Sequence, residues 1–194
     1  MWEEFDMEID PAFLERDRCR KAGKAVEIRR TERLVIRETV LEDVPELYRI
    51  WRLPGMGDYI QPMQPTLDEE LEFMEAYIRH AYPFYDYGLW TVLDGQQDHV
   101  VGRAGLFPSE LLDDAVELGY MIAPAYQGQG LATECGKAIL AYAREVLELT
   151  DIHLLTDPEN QASVRVAEKL GFEKAGGLYK SNRKLLHYIW RVNE

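Results

Sequence analysis

AYQGQGLATE, residues 125–134, is the stretch on which the fold of this chain turns. It follows the strand-like run AVELGYMIA (115–123) and opens a helical pattern that begins at Leu131. Strand, glycine loop and helix in that order make an anion site. A helix start offers backbone N–H groups without intrahelical partners and about half a positive charge, and glycines let an oxyanion come close to them. The donors expected here are the N–H groups of Gly128 to Thr133. One candidate is the dinucleotide fingerprint GxGxxG, which would use Gly128 and Gly130. Thr133 stands where its third glycine belongs. Asp157 falls where the ribose-binding acid of such a fold could lie, so a nucleotide-binding oxidoreductase is an alternative. Against it, Pro124 to Gln127 separate the strand from the glycines, whereas the dinucleotide turn follows its strand tightly.

Outward from the loop, the hydrophobic period changes twice. GLWTVLDG (88–95), HVVGRAGLF (99–107) and AVELGYMIA read as three strands joined by short connections, an antiparallel meander. Behind the loop, Leu131, Cys135, Ile139, Tyr142, Val146 and Leu149 recur at helical spacing. DIHLLT (151–156) is a further strand, NQASVRVAEKLGF (160–172) a helix ended by Gly171, and EKAGGLYK and KLLHYIWRV supply two last strands. Upstream lie a strand, RLVIRET (33–39), and a helix over 41–51. A second helix is capped by Thr66, with Leu67, Leu71, Met74 and Ile78 as its buried stripe. Residues 10–24 read as a surface helix with Asp10 as cap and Gly23 at its end, part of an N-terminal helical extension over 1–30. The remainder, 31–194, forms a single α/β (α+β) domain with a mixed, mostly antiparallel sheet flanked by helices.

Composition narrows the function. A formal net charge of −13 disfavours nucleic acid, whose phosphates would be repelled. No apolar run approaches the ~18 residues that cross a bilayer. The N-terminus is acidic and unlike a signal peptide, so a cytoplasmic protein without membrane contact is expected. Two cysteines, Cys19 and Cys135, and four histidines without metal spacing give no disulfide framework and no metal site. Basic residues gather late: residues 161–194 carry seven Lys and Arg against three Asp and Glu. The acidic remainder could receive a cationic substrate while the C-terminal part sits nearer an anion.

The run Gln127-Gly128-Gln129-Gly130-Leu131-Ala132 resembles the Gln/Arg-x-x-Gly-x-Gly/Ala loop of the GNAT family of N-acetyltransferases. Its surroundings ELGYMIAPAYQGQGLATE are similar to the branch that includes the ribosomal-protein N-terminal acetyltransferases. Asn160, Ser163, Lys169, Leu170, Gly171 and Phe172 match the Asn-x-x-Ser…Lys-Leu-Gly-Phe pattern of that branch at the expected distance. The resemblance covers about residues 31–194. It implies acetyl-CoA as cosubstrate and no metal, with a small-molecule amine or a peptide N-terminus as acceptor; oligomeric state is not legible. The N–H groups of Gly128, Gln129, Gly130, Leu131, Ala132 and Thr133 would then hold the pyrophosphate, the backbone of Met121 and Ile122 would pair with the pantetheine arm, and Asn160 and Ser163 would meet the arm from the helix start. Asn160 is equally suited to capping that helix. Gln127 and Gln129 stand where relatives often carry basic residues, so binding is expected to rest on backbone donors and to depend weakly on salt. Arg165 and Lys169 could add charge nearby but read as solvated surface.

Amide formation from a thioester needs a base for the ammonium proton, an oxyanion donor and an acid for the thiolate. A backbone N–H near Met121 or Ile122 suits the oxyanion. Glu117, on one strand face with Gly119 and Met121, is the expected base, an exposed carboxylate paired with an arginine being its structural alternative. Many relatives carry Tyr seven residues after the motif Asn, but here Ala167 stands there. Tyr179, or else Tyr120 or water, is left as the acid, and a CoA-binding sensor without turnover is a further alternative. HAYPFYDYGLW (80–90) with Asp86, together with GMGDYIQPM, is expected to wall a pocket for a cationic amine.

Overall fold

The computed structural model describes residues 11–180 and 182–192. Its elements are α1 (Pro11–Lys21), β1 (Glu27–Arg30), β2 (Leu34–Arg37), α2 (Val44–Trp51), α3 (Leu67–Tyr85), β3 (Leu89–Asp94), β4 (Val100–Pro108), β5 (Val116–Ile122), α4 (Leu131–Glu145), β6 (Asp151–Thr156), α5 (Gln161–Lys169), β7 (Glu173–Lys180) and β8 (Arg183–Arg191). The strands form one sheet in the order β1-β2-β3-β4-β5-β6-β8-β7, and every pairing is antiparallel except β5 with β6. Strands β3 to β5 are the expected meander. The Asp10 cap lies outside the described residues, and β1 is a strand that the periodicity did not disclose. Its only buried residue is Ile28 amid Glu27, Arg29 and Arg30, too little pattern to read.

Alternation along the strands sorts the sheet into two faces. On one face, Ile36, Trp90, Val92, Ala104, Leu106, Leu118, Ile152, Leu154 and Tyr188 meet Leu131, Cys135, Ile139 and Tyr142 of α4 and Ala167 of α5 in the main core. On the other, Met121 and Ala123 meet Leu47 and Ile50 of α2, with Met56, Ile60 and Met63 of the following loop packed against them. This second layer carries α2 and α3 and bears on the middle of the sheet. Helix α3 begins as expected: the Thr66 hydroxyl accepts from Glu69 N–H, and the Glu69 carboxylate accepts in return from Thr66 N–H, a reciprocal cap. Its expected stripe turns inward, with Met74 buried and Leu67, Leu71 and Ile78 half-buried, but the deepest positions also include two residues outside it. Glu70, Met74 and Tyr82 are its buried residues, and Glu70 is held there by the Gln64 N–H.

The α2–α3 side and the main core are tied at one edge by charge. Asp86 ends α3 in the left-handed conformation and takes both Arg16 and Arg20 from α1, while Arg20 also grips Glu38 at 2.6 Å. Arg20 and Glu38 are 10% and 5% exposed, so neither charge has water to fall back on. Burial raises the Glu38 carboxyl above its usual range even against the pull of Arg20. Both cysteines are free, Cys135 buried in α4 and Cys19 half-buried in α1.

Breaking a buried pair from one side leaves an uncompensated charge, which typically costs about 3–5 kcal/mol. Arg20→Ala is therefore expected to lower the urea midpoint by about that free energy. Arg18→Ala, whose guanidinium is exposed beside Glu15, should leave the midpoint unchanged.

Candidate functional site

The parallel neighbours β5 and β6 are laddered at one position, Glu117 opposite His153. Antiparallel pairing with β4 fixes which backbone groups of β5 look the other way. Ala123 N–H donates to Val101 at 2.9 Å and Ser109 N–H to Ala115 at 2.8 Å, so the odd-numbered residues between them bond toward β4. The even-numbered residues consequently turn toward β6; Leu118 N–H serves the single bridge to His153, and Tyr120 and Ile122 lie beyond it, where the ladder has stopped. Met121, expected to serve an extended ligand together with Ile122, instead faces Arg103 on β4 with its backbone and packs its side chain on α2. Tyr120 is the residue whose backbone turns to that side instead, a difference set by the register and not by composition.

At the end of this strand edge stands the start of α4. Gly128 and Gly130 adopt φ of +75° and +81°, a region that glycine enters without penalty. None of the N–H groups of Gly128 to Thr133 meets an acceptor among the described residues. Six donors thus converge beside the β5–β6 gap, and a Cβ placed on Gly128 would meet nothing within 4 Å, so a phosphate-sized group has room. The two glutamines have a different task. Gln127 Nε2 donates to Ile122 O at 2.8 Å and Gln129 Nε2 to Ala125 O at 3.1 Å, pinning the loop to its own strand. Arg33 reinforces it from the turn before β2, donating to Gln129 O while paired with Glu134.

Charge comes from elsewhere. A recess of about 460 Å³ beside Gly130 and Thr133 is lined by Lys137 of α4 and Lys169 of α5, with Glu32 and Glu134. Lys169, expected as plain surface, therefore sits at the anion loop, and weak salt dependence no longer follows from the glutamines alone. Asn160 caps α5, its Oδ1 accepting from Ser163 N–H at 3.1 Å. Ser163 Oγ lies 3.0 Å from Tyr120 Oη, and burial pushes that phenol up to about 12.

The other expected residues divide between the faces. Glu117, Gly119 and Met121 share the α2 face, as expected, but Glu117 is 8% exposed and has no arginine partner. Burial raises its carboxyl above the usual range. The Ser109 hydroxyl, Lys180 and His153 pull it back, and Glu110 pushes it further up. Through the β6–β8–β7 register, Lys180 lies on the same face as Glu117, whereas Tyr179 lies on the opposite one, 72% exposed. The structure does not bring Tyr179 to Glu117; of the tyrosines considered, Tyr120 reaches the gap. Ala167 is fully buried in α5. Nor does HAYPFYDYGLW wall a pocket with Asp86 in it. Asp86 is taken by Arg16 and Arg20, and the Tyr82 hydroxyl binds Thr39 N–H and Leu89 O. GMGDYIQPM does lie over the Glu117 face, tethered where Arg183 reaches Asp58 O at 3.4 Å and Asp157 at 2.8 Å. With Asp157 so engaged and one parallel pairing in the sheet, the crevice a dinucleotide fold requires is absent from the described residues. No group of three His, Cys, Asp or Glu among the described residues is placed to hold a metal ion.

Comparison with known proteins converges on the same family. The Acetyltransferase (GNAT) domain pattern matches residues 33–173. The uncharacterized protein YkkB of Bacillus subtilis is 33% identical over 54% of the chain and 61% of its own length. Spermidine N(1)-acetyltransferase of Escherichia coli is 30% identical over 56% of each. The chain thus spans between half and two thirds of these relatives. Among solved structures, the ribosomal α-N-protein acetyltransferase RimL superposes with a TM-score of 0.75 over 88% of this chain and 97% of its own, at 17% identity. A GNAT acetyltransferase from Bacillus anthracis gives 0.71 over 84% and 96%, at 23%.

The φ of Gly130 gives the loop a direct test. An L-residue in that region costs on the order of 1–2 kcal/mol, and an added methyl would meet only Arg33 Nη2 at 3.9 Å. Gly130→Ala is expected to lower the melting temperature by a few degrees. Coenzyme A should bind it several-fold more weakly in calorimetric titration, because the donors tilt and not because the site is blocked.

Proposed function

Because this chain belongs to the GNAT acetyltransferase family, we propose that it moves an acetyl group from acetyl-CoA to a primary amine by direct attack in a ternary complex. The observation that supports this most is the run of six free N–H donors at the α4 start, set at the end of the β5 edge that β6 leaves unladdered. Gly128 to Thr133 hold the pyrophosphate, with Lys137 and Lys169 supplying charge. The pantetheine arm adds to β5 as a short strand against the backbone of Tyr120 and Ile122. The thioester supplies an activated acyl group; the chain's residues do the rest. An N–H of the same β5 edge, Tyr120 or Ile122, steadies the carbonyl oxygen as charge builds on it.

Glu117 takes the proton of the attacking amine from the α2 face. Its burial fits that work, since a carboxylate raised toward neutrality is a stronger base than one in water. Tyr120 approaches from the opposite face through its contact with Ser163 and is placed to return a proton to the thiolate. The acceptor enters over the Glu117 face, beneath the Met56–Met63 loop that α2 and the Arg183 tether hold down. Spermidine and a protein N-terminus, the acceptors printed in the names of relatives, both present a primary amine.

Base catalysis of this kind is worth roughly 10²–10⁴ in rate. Glu117→Gln should cut kcat by that order while leaving the KM for acetyl-CoA unchanged. Wild-type kcat should rise with pH as Glu117 ionises, and the rise should vanish in the variant. Thiol release with spermidine, simple alkylamines and short peptides reads the result. Full activity in Glu117→Gln would remove Glu117 as base, and no thiol release with any amine would leave a CoA-binding protein without turnover.

A further inference from the structure

Two histidines far apart in sequence meet on the Glu117 face. The antiparallel register of β6 and β8 brings His153 and His187 into neighbouring positions. Their rings stack at 5.1 Å and 16°, with His153 Nδ1 2.8 Å from His187 Nε2. The second nitrogen of His153, Nε2, lies 2.9 Å from Asp151 Oδ2, and Asp151 is half exposed at the strand start. His153 is also the ladder partner of Glu117, so the two side chains leave the same face about 5 Å apart at their backbones. Carboxylate, imidazole pair and an acid open to water thereby share one face over three strands, with His153 and Asp151 on the strand between those of Glu117 and His187.

The hydrogen bonds fix the protons. Asp151 accepts from His153 Nε2–H, so in the neutral pair His153 Nδ1 accepts from His187 Nε2–H. His187 Nδ1 then carries a lone pair, and it has no partner among the described residues. Burial and the neighbouring His153 lower the His187 imidazole below its usual value, which favours its neutral form with Nδ1 open. The groups facing it are Glu117 and Asp151, with Glu173 and Arg191 at the flanking register positions. Lys180 and Glu110, themselves paired, lie beside Glu117.

We propose that His187 and His153 drain the proton that Glu117 collects, passing it to Asp151 and bulk water so that Glu117 is a base again for the next turnover. This rests on Glu117 being the base. The O–H bond on Glu117 breaks and, through a water on this face, an N–H bond forms at His187 Nδ1. His187 Nε2–H moves to His153 Nδ1, so the positive charge settles on His153 against Asp151. His153 Nε2–H is then lost by way of Asp151, and exchange with solvent restores the starting tautomers. No electrons change hands. Both histidines are positioning residues that act through Glu117.

His187→Gln tests this, because its amide can keep the bond to His153 while the ring that titrates is gone; His153→Asn is the second variant. Both are expected to melt within a few degrees of wild type and to keep the KM for acetyl-CoA. Their kcat should fall on the order of tenfold below neutral pH, less than the loss expected for Glu117→Gln. Free imidazole in the assay should restore kcat in His187→Gln but not in Glu117→Gln. Wild-type kcat and pH profile in His187→Gln, with Glu117→Gln still impaired, would overturn the outlet and leave the base in place. A loss that is equal at every pH and insensitive to imidazole would mark a structural role and overturn it as well. If Glu117→Gln is fully active, the base assignment fails separately.

Discussion

The structure depends on one strand pairing that stops early. β5 and β6 run parallel, so the chain must cross over between them, and α4 is that crossover. A crossover helix begins near the end of the strand it leaves, which puts its free N–H groups at the outer end of β5. Because the parallel ladder holds only at Glu117 and His153, the β5 edge beyond it keeps the N–H and C=O of Tyr120 and the N–H of Ile122 unspent, the Ile122 carbonyl being taken by Gln127. Two sources of backbone donors, a strand edge and a helix start, therefore meet end to end. An extended molecule with an anionic end fits that pair of features and no single one of them. Extending the ladder to Ile122 would close the edge, and no change in the glycine loop would compensate.

The same gap lets chemistry approach from both sides of the sheet. On the α2 side, Glu117 is buried beside Ser109 and Lys180. On the α4–α5 side, Tyr120 contacts Ser163 at the start of α5. Glu117 and Tyr120 stand on opposite faces and do not neutralise each other directly, and each keeps a raised proton affinity from its own desolvation. The buried Ala167 is consistent with this division. Ala167 fills the position where many relatives carry Tyr and is fully buried in α5, and the tyrosine nearest the start of that helix is Tyr120 of β5.

What the sequence disclosed was local. Thr66 and Glu69 cap α3, Asn160 caps α5, and AYQGQG opens α4 because each is a few residues whose chemistry is complete within one turn. What it hid depends on register. Whether Met121 or Tyr120 shows its backbone to the gap is decided by which residues of β4 stand opposite. Tyr179 falls on the wrong face because the irregular pairing between Lys174 and Gly176 resets the alternation of β7. Asp86 looked like an acceptor's counter-ion until α1, some 70 residues earlier, was seen to claim it. His153 and His187 are 34 residues apart and carry no motif spacing, so only the β6–β8 pairing could unite them.

The charge asymmetry of the sequence takes on a different meaning in three dimensions. The basic C-terminal residues do not form one anion-binding patch. Lys169 stands at the α4 loop, but Lys180 and Arg183 lie on the Glu117 face, and there each is matched to an acid, Glu110 and Asp157. Paired charges at the rim contribute little attraction for a distant ligand, since their fields largely cancel and salt screens the remainder. What distinguishes this face is the apolar loop packed on α2 and the buried Glu117, whose proton affinity burial raises. An acceptor drawn by long-range attraction would find Glu110, Asp151 and Asp157 already held by Lys180, His153 and Arg183.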